Sequence, residues 1–200
     1  MIRRFVPVYL ITGFIESGKT TLGLTVLAND RFTNGGRVLV LCCEEGEAEW
    51  DDDSLEKYKG VLVNLDSADE LTTAKLEDLD REIQPTCVIM EYNTMWGLEK
   101  LDEFDLPRLW GWAQVVTTAD ATTFDNYMAN MRKILTDPMK AADMIYVNRC
   151  GEIHRVIGIF ADDFIITEKG RRRRNRIHDH LLRCRPDLPQ FNFVRVIGFP

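Results

Sequence analysis

The 200-residue sequence lacks the features that mark several large protein classes. No apolar stretch approaches the roughly 20 residues that a membrane-spanning helix needs, so we expect no membrane span. Residues 1–11 contain two arginines and then a strand-like run, without the long apolar core and cleavage site of a signal peptide. The five cysteines are an odd number without regular spacing, which excludes a disulfide framework and indicates reduced thiols in a cytoplasmic protein.

The composition is that of an ordinary globular chain, with 45% hydrophobic and 28% charged residues, so a disordered or collagenous protein is excluded. The net charge of −7 is unevenly distributed. Residues 1–150 carry 26 Asp and Glu against 15 Lys and Arg, whereas residues 151–200 carry 6 against 10. Because an acidic body repels nucleic acid, we expect no nucleic-acid partner for the larger part.

The first 150 residues alternate between short β-branched runs and helical patterns, which predicts an α/β fold with a mostly parallel sheet flanked by helices. Predicted strands cover residues 6–11, 38–42, 61–64, 87–91, 114–117 and 144–147. Predicted helices cover residues 19–28, 68–83, 98–104 and 122–135. We predict a domain boundary near residue 150. The basic segment after it (151–200) is predicted to be an atypical, truncated or frame-shifted end.

A phosphate-binding loop is predicted at residues 13–20, whose sequence GFIESGKT fits the pattern G-x-x-x-x-G-K-[ST]. It follows a predicted strand and opens a predicted helix, which is the setting that the mechanism requires. Its glycines let backbone amides converge on phosphate oxygens, Lys19 would neutralise the β and γ phosphates, and the Thr20 hydroxyl would hold Mg²⁺. The predicted nucleotide-binding residues here are Gly13, Glu16, Ser17, Gly18, Lys19, Thr20 and Thr21. The alternative is a glycine-rich turn with a surface lysine.

A second component of the same site is predicted at Glu91, which ends the apolar strand at 87–91. Ligands in open α/β sheets bind at the carboxyl ends of strands, so this carboxylate is placed to hold the magnesium water or the attacking water. Lys19 and Glu91 are therefore the predicted catalytic residues of a P-loop NTPase with a three-layer sandwich fold. The alternative for Glu91 is a solvated acid at the end of a strand.

Residues 6–14 (VPVYLITGF) and 16–22 (ESGKTTL) resemble the opening of the CobW-like GTPases, which belong with the HypB and UreG metallochaperones to one P-loop class. Three later segments are similar to motifs of that family. CEEGE at 43–47 occupies the place of N-E-x-G-E, EYNT at 91–94 matches E-x-x-G with threonine for glycine, and NRCG at 148–151 falls on N-K-x-D. The resemblance covers residues 5–150.

The resemblance implies a GTPase that works as a metal-delivery or cofactor-assembly switch. We expect slow hydrolysis without a partner, because no arginine finger is evident in the sequence. GTP, or ATP, with Mg²⁺ are the implied cofactors, together with a transition-metal cargo and a metalloprotein client or metal-handling partner. Asn148 and Arg149 are implied to face the base. The implied metal ligands are Thr20, Glu44, Glu47 and Glu91.

Two departures from the family pattern change these expectations. Gly151 stands where the guanine-reading aspartate is usual, so we expect a weakened preference for GTP over ATP. The C-x-C-C metal motif is absent from residues 64–69, and the adjacent Cys42 and Cys43 would point to opposite faces of a strand, which favours packing over metal binding. The remaining oxygen ligands favour Mg²⁺ or a weakly held divalent ion; they are Glu44, Glu47, Asp66 and Asp69.

Several features allow other interpretations. Seven acids between residues 44 and 53 form either a switch loop or a solvated acidic loop, and Trp96, Trp110 and Trp112 are predicted to pack under the sheet edge. Two other functions stay open. A small-molecule kinase would use the arginines at 171–174 as its lid. A non-catalytic module would be a truncated nucleotide-binding domain that binds nucleotide weakly or not at all.

Overall fold

The structure, a computed structural model, describes residues 5–44, 49–149 and 195–198. These residues form a seven-stranded sheet in which every pairing is parallel, with the strand order β3-β2-β4-β1-β5-β6-β7. The strands are β1 Val6–Gly13, β2 Val38–Cys42, β3 Gly60–Asn64, β4 Cys87–Glu91, β5 Trp110–Asp120, β6 Met144–Asn148 and β7 Arg195–Gly198. The helices are α1 Lys19–Leu27, α2 Asp30–Thr33, α3 Asp52–Lys57, α4 Thr73–Ile83, α5 Phe124–Asn130 and α6 Arg132–Ala141.

The sheet lies between two apolar layers, which confirms the predicted three-layer α/β sandwich. Alternate residues of β2 face opposite sides, as strand geometry requires, so that Leu39 and Leu41 join one cluster and Val38 and Val40 the other. Helix α4 packs on the first cluster through its buried leucines, and α1 packs on the second through Leu27. Because both faces are covered, the carboxyl ends of the strands are left as the place for a ligand site.

Three predicted helices differ from the observed ones. Residues 68–83 contain a short 3₁₀ turn and then α4, because Thr72 adopts an extended conformation and its hydroxyl caps the helix by accepting a bond from the Lys75 amide. Residues 122–135 are divided at Met131, which separates α5 from α6. Residues 98–104 form only a 3₁₀ turn, Leu98–Asp102.

The predicted placement of two tryptophans is wrong. Strand β5 begins at Trp110 rather than at residue 114, and it pairs with the central strand β1. Trp110 and Trp112 are buried in the main core, and the Trp110 indole donates a hydrogen bond of 2.9 Å to Oδ1 of Asp80 in α4. They therefore lie inside the sheet and not under its edge.

The acidic run contains a helix that the sequence analysis missed. The Asp51 carboxylate accepts a hydrogen bond from the Ser54 amide and caps α3, so these acids begin a helix rather than continue a loop.

The far end of the chain contributes β7, which pairs with β6. Residues 150–194 lie outside the described part, so the boundary near residue 150 and the role of the arginines at 171–174 stay predictions. Within the described ranges, every helix is too short or too polar to cross a membrane.

Candidate nucleotide-binding site

The predicted phosphate loop connects β1 to α1 in a shape that requires its two glycines. Gly13 and Gly18 have φ angles of 140° and 98°, in the region that side chains disfavour. A Cβ on Gly13 would lie 2.3 Å from Oγ1 of Thr118, and one on Gly18 would lie 2.7 Å from Nδ2 of Asn148. The loop is therefore packed tightly against the ends of β5 and β6.

Hydroxyl groups of Thr94, in the 3₁₀ turn after β4, and of Ser17, in the loop itself, hold the loop backbone in place. The Thr94 hydroxyl accepts a bond from the Gly13 amide and donates one to the Gly13 carbonyl, both at 2.9 Å. The Ser17 hydroxyl donates to the Phe14 carbonyl at 2.6 Å and lies 2.5 Å from the Thr118 hydroxyl. Ser17 is thus buried beneath the loop. By contrast, Glu16 and Thr21, also predicted nucleotide contacts, are exposed.

The Lys19 side chain is buried and lies over the loop, with 3% of it exposed. Its ammonium donates to the carbonyls of Gly13 (3.1 Å) and Phe14 (2.8 Å) and forms an ion pair with Glu44. The structure therefore brings Glu44 to the loop as the partner of Lys19.

Glu91 contacts Thr20 in the first turn of α1, so it is not a solvated acid at the end of a strand. Its Oε1 accepts a 2.8 Å bond from the Thr20 hydroxyl and its Oε2 a 2.8 Å bond from the indole of Trp50. Burial raises the pKa of Glu91, while these two bonds and the Lys19 charge oppose the rise. A hydroxyl and a carboxylate in contact are the hard oxygen ligands that suit Mg²⁺, so the residues present fit this ion.

The ends of β5 and β6 carry the residues that are predicted to face the base. Asn148 is opposite Asp120 in the register of the two strands. Arg149 has a φ of 57°, and its guanidinium forms an ion pair with Oδ2 of Asp120. Oδ1 of Asp120 accepts bonds from the amide and the hydroxyl of Thr122, so both oxygens are engaged. Gly151 lies outside the described residues.

Two functional candidates, Asp120 and Trp50, were missed by sequence reasoning. A signal for Asp120 was present, since it ends a buried strand in the same way as Glu91. Trp50 carried no such signal, because its partner is 41 residues away in the chain.

The acids predicted to favour Mg²⁺ or a weakly held divalent ion are not assembled into one group in the described part of the chain. Asp66 and Asp69 are exposed, Glu44 is paired with Lys19, and Glu47 falls outside the described residues. No group of three His, Cys, Asp or Glu side chains within the described ranges could hold a metal ion.

Cys42 and Cys43 pack on opposite sides of the sheet, as predicted. Cys43 is a buried member of the cluster that α4 covers, whereas Cys42 packs against the other cluster. Burial raises the pKa of both thiols, which disfavours the thiolate that a soft metal would need. These cysteines therefore have the core-packing role that the sequence predicts.

Comparisons with known proteins agree with this geometry. Residues 7–158 match the family described as CobW/HypB/UreG, nucleotide-binding domain. The fold is similar to that of the Zn(II)-bound YjiA GTPase from E. coli, with a TM-score of 0.55 and 20% identity over 80% of this chain and 54% of that one. It is also similar to the hydrogenase maturation factor HypB from Archaeoglobus fulgidus, with a TM-score of 0.53 and 16% identity over 98% of this chain and 81% of that one. No curated protein matches the sequence. The chain thus spans about half the length of YjiA.

Proposed function

The chain belongs to the CobW/HypB/UreG nucleotide-binding family, and on that premise we propose that it binds a purine nucleoside triphosphate with Mg²⁺ and hydrolyses it, with GTP as the main substrate. The observation that carries the proposal is the buried contact of 2.8 Å between Thr20 and Glu91, at a loop whose Gly13 carbonyl accepts a bond from the Lys19 ammonium. A hydroxyl, a carboxylate and a cation therefore gather at the phosphate loop that connects β1 to α1. This is the set of groups that phosphoryl transfer needs.

The proposed role of each residue follows from its position in the site. The loop amides and the N-terminus of α1 would bind the phosphate oxygens, and Lys19 would neutralise the β and γ phosphates. Thr20 and Glu91 would hold Mg²⁺, which, when bound, draws charge from the transferred phosphoryl group. Glu91 would also orient the attacking water through its buried carboxylate. Asn148 would face the purine, since its side chain lies against Gly18 at the end of the loop.

Turnover is expected to be slow without a partner. In this chemistry an added arginine contributes a large part of the rate. Arg149 lies beside the predicted base-binding residue Asn148 and is paired with Asp120, so it is not placed on the phosphates.

We further propose that hydrolysis drives metal delivery or cofactor assembly for a metalloprotein client in the cytoplasm. Family membership supports this role, as do the Zn(II)-bound state of YjiA and the description of HypB as a hydrogenase maturation factor. The metal would be cargo rather than a resident ion.

Nucleotide binding and phosphate release test the proposed activity. Binding of GTP and ATP is measured with and without Mg²⁺, followed by release of inorganic phosphate with and without Zn²⁺, Co²⁺ or Ni²⁺. Lys19→Ala is expected to lower nucleotide affinity at least about tenfold, or about 1.4 kcal/mol. Because this change leaves Glu44 without its partner, the double variant Lys19→Ala/Glu44→Gln serves as a control for folding.

The result separates the three functions. Unchanged affinity in a folded Lys19→Ala variant would overturn the site. Binding without phosphate release would indicate a non-catalytic module, and phosphate transfer to an added alcohol in place of water would indicate a kinase.

A further inference from the structure

Trp50 is held rigidly between the sheet and helix α1. It is 7% exposed and belongs to the same apolar cluster as Leu27 and Leu55. Its six-membered ring lies directly over Gly23 of α1, where a Cβ would be 2.4 Å from Cη2 and 2.6 Å from Cζ2 of the ring. The indole can therefore approach α1 only because residue 23 has no side chain.

This packing directs the indole N–H at the carboxylate of the predicted magnesium site. Nε1 of Trp50 donates to Oε2 of Glu91 at 2.8 Å, while Oε1 of Glu91 accepts from Thr20 at 2.8 Å. Each carboxylate oxygen of Glu91 thus accepts from a different donor, and the two bonds together fix the orientation of the carboxylate plane. An indole is a donor only, so it orients the carboxylate without competing for a cation. A buried bond to an ionised acceptor is also stronger than a neutral one.

We propose that Trp50 is a positioning residue for Mg²⁺: its indole N–H fixes the Glu91 carboxylate so that Oε1 stays beside Thr20. The inference rests on the proposed function. Trp50 touches neither nucleotide nor Mg²⁺ itself. Its loss should therefore weaken the response to Mg²⁺ and leave the metal-free affinity for nucleotide almost unchanged.

The chain contains a matched control for this contact. Trp110 is also buried and donates its indole N–H to a carboxylate, Oδ1 of Asp80, at 2.9 Å. That pair joins β5 to α4 and has no part in the phosphate loop. Trp110→Phe and Trp50→Phe each remove one buried indole–carboxylate bond, but only the second touches Glu91.

The first experiment tests the contact in the nucleotide-free protein. The four tryptophans give four indole N–H signals in a ¹H–¹⁵N correlation spectrum, and Trp50→Phe and Trp110→Phe assign two of them. Glu91→Gln should shift the Trp50 signal upfield, because a neutral amide replaces the carboxylate, and leave the Trp110 signal in place. A Trp50 signal that does not move would overturn the proposal.

The second experiment measures the Mg²⁺ concentration that gives half of the full change in GDP affinity. Trp50→Phe should raise this midpoint at least about fivefold, which is about 1 kcal/mol, and leave the affinity in EDTA within about twofold of the parent. Trp110→Phe should leave the midpoint unchanged. Gly23→Ala should act in the same direction as Trp50→Phe, because the added methyl group displaces the ring without removing a polar group.

The outcomes separate the two proposals. A parent protein that responds to Mg²⁺ together with a Trp50→Phe midpoint equal to that of the parent would overturn the role of Trp50 alone. An equal rise in Trp110→Phe would also overturn it, since the effect would then be one of general stability. A parent protein that binds GDP equally well in EDTA and in Mg²⁺ would overturn both the role of Trp50 and the proposed magnesium site.

Discussion

Lys19 of the phosphate loop forms an ion pair with Glu44, which follows β2, and only 3% and 11% of the two side chains are exposed. An incoming phosphate must replace the Glu44 carboxylate as the anionic partner of Lys19. In the nucleotide-free site, the Glu44 carboxylate therefore competes with an incoming phosphate for Lys19. Because a buried lysine without a partner is unfavourable, the exchange links entry of phosphate to release of Glu44.

Removing this competitor should strengthen binding. We expect Glu44→Gln to raise the affinity for GDP in EDTA by about five- to tenfold, or about 1 kcal/mol, because phosphate no longer displaces a charged partner. Equilibrium titration with a fluorescent GDP analogue measures the effect. Glu49→Gln is the control, since Glu49 is an exposed acid of the same run. An affinity at or below that of the parent would contradict this prediction.

The Glu91 carboxylate should matter for turnover more than for binding. Glu91→Gln keeps the shape of the side chain, but one of its two acceptor oxygens becomes a donor amide that cannot accept from Thr20 or Trp50. We expect at least about a tenfold loss in the single-turnover rate, with the nucleotide affinity in EDTA within about twofold of the parent. Equal rates of phosphate release in the variant and the parent would remove Glu91 from the mechanism.

Discrimination between bases should be weak. A site that pairs a carboxylate with the two donors of guanine can discriminate by orders of magnitude, and Gly151 has no carboxylate to offer. We expect a preference for GTP over ATP of about tenfold or less. Competition titrations of GTP and ATP against one fluorescent nucleotide measure it. A thousandfold preference would mean that another acid reads the base, and Asp120→Asn would then test the nearest described candidate.

Zinc should bind weakly and without the adjacent cysteines. Thiolate sites need convergent sulfur atoms, but Cys42 and Cys43 belong to opposite clusters and burial raises the pKa of both. We expect a dissociation constant in the micromolar range or above, with little change in Cys43→Ser, by competition with a zinc-binding dye. A nanomolar site that Cys43→Ser abolishes would restore a thiolate metal carrier.

Alkaline pH should destabilise the fold through a buried thiol. Burial raises the pKa of Cys87 to about 12, above that of a thiol in the unfolded chain. Since the folded state disfavours the Cys87 thiolate, this thiol leaves the free energy of unfolding unchanged below a pH of about 8.5. As the pH rises towards 12, it lowers the free energy of unfolding by about 1.4 kcal/mol per pH unit. Urea denaturation at pH 8 and pH 10 measures the slope. Cys87→Ala should reduce this slope, and an identical slope in both proteins would contradict the assignment.

The sequence predicted the strands better than the helices, for a physical reason. Buried parallel strands are short apolar runs, and 38–42 and 87–91 were predicted with the observed bounds. The helical boundaries depend on single capping residues such as Thr72, whose hydroxyl accepts a hydrogen bond from the Lys75 amide at the start of α4. The start of β5 was missed because tryptophan and glycine lack the β-branched signature of the other strands.

The sequence predicted the part of the site whose residues lie close together in the chain or at the end of an apolar strand. Gly18, Lys19 and Thr20 form one motif, and Glu91 ends an apolar strand. The partnerships of these residues were not predictable, because they join segments far apart in the chain. Neither Glu44 as the partner of Lys19 nor Trp50 as the partner of Glu91 follows from spacing.

Strand β1 lies in the middle of the sheet, and this position affects the stage of folding at which the proposed nucleotide-binding site would form. The strand that carries the phosphate loop does not pair with β2, the next strand in the chain, but with β4 and β5, where Val8 is in register with Val88 and with Trp112. Such long-range pairings form late in folding, because the loop-closure entropy precedes the contacts that offset it. The phosphate loop is thus expected to become a binding site only after the middle of the sheet has closed, and capture of nucleotide would report that closure.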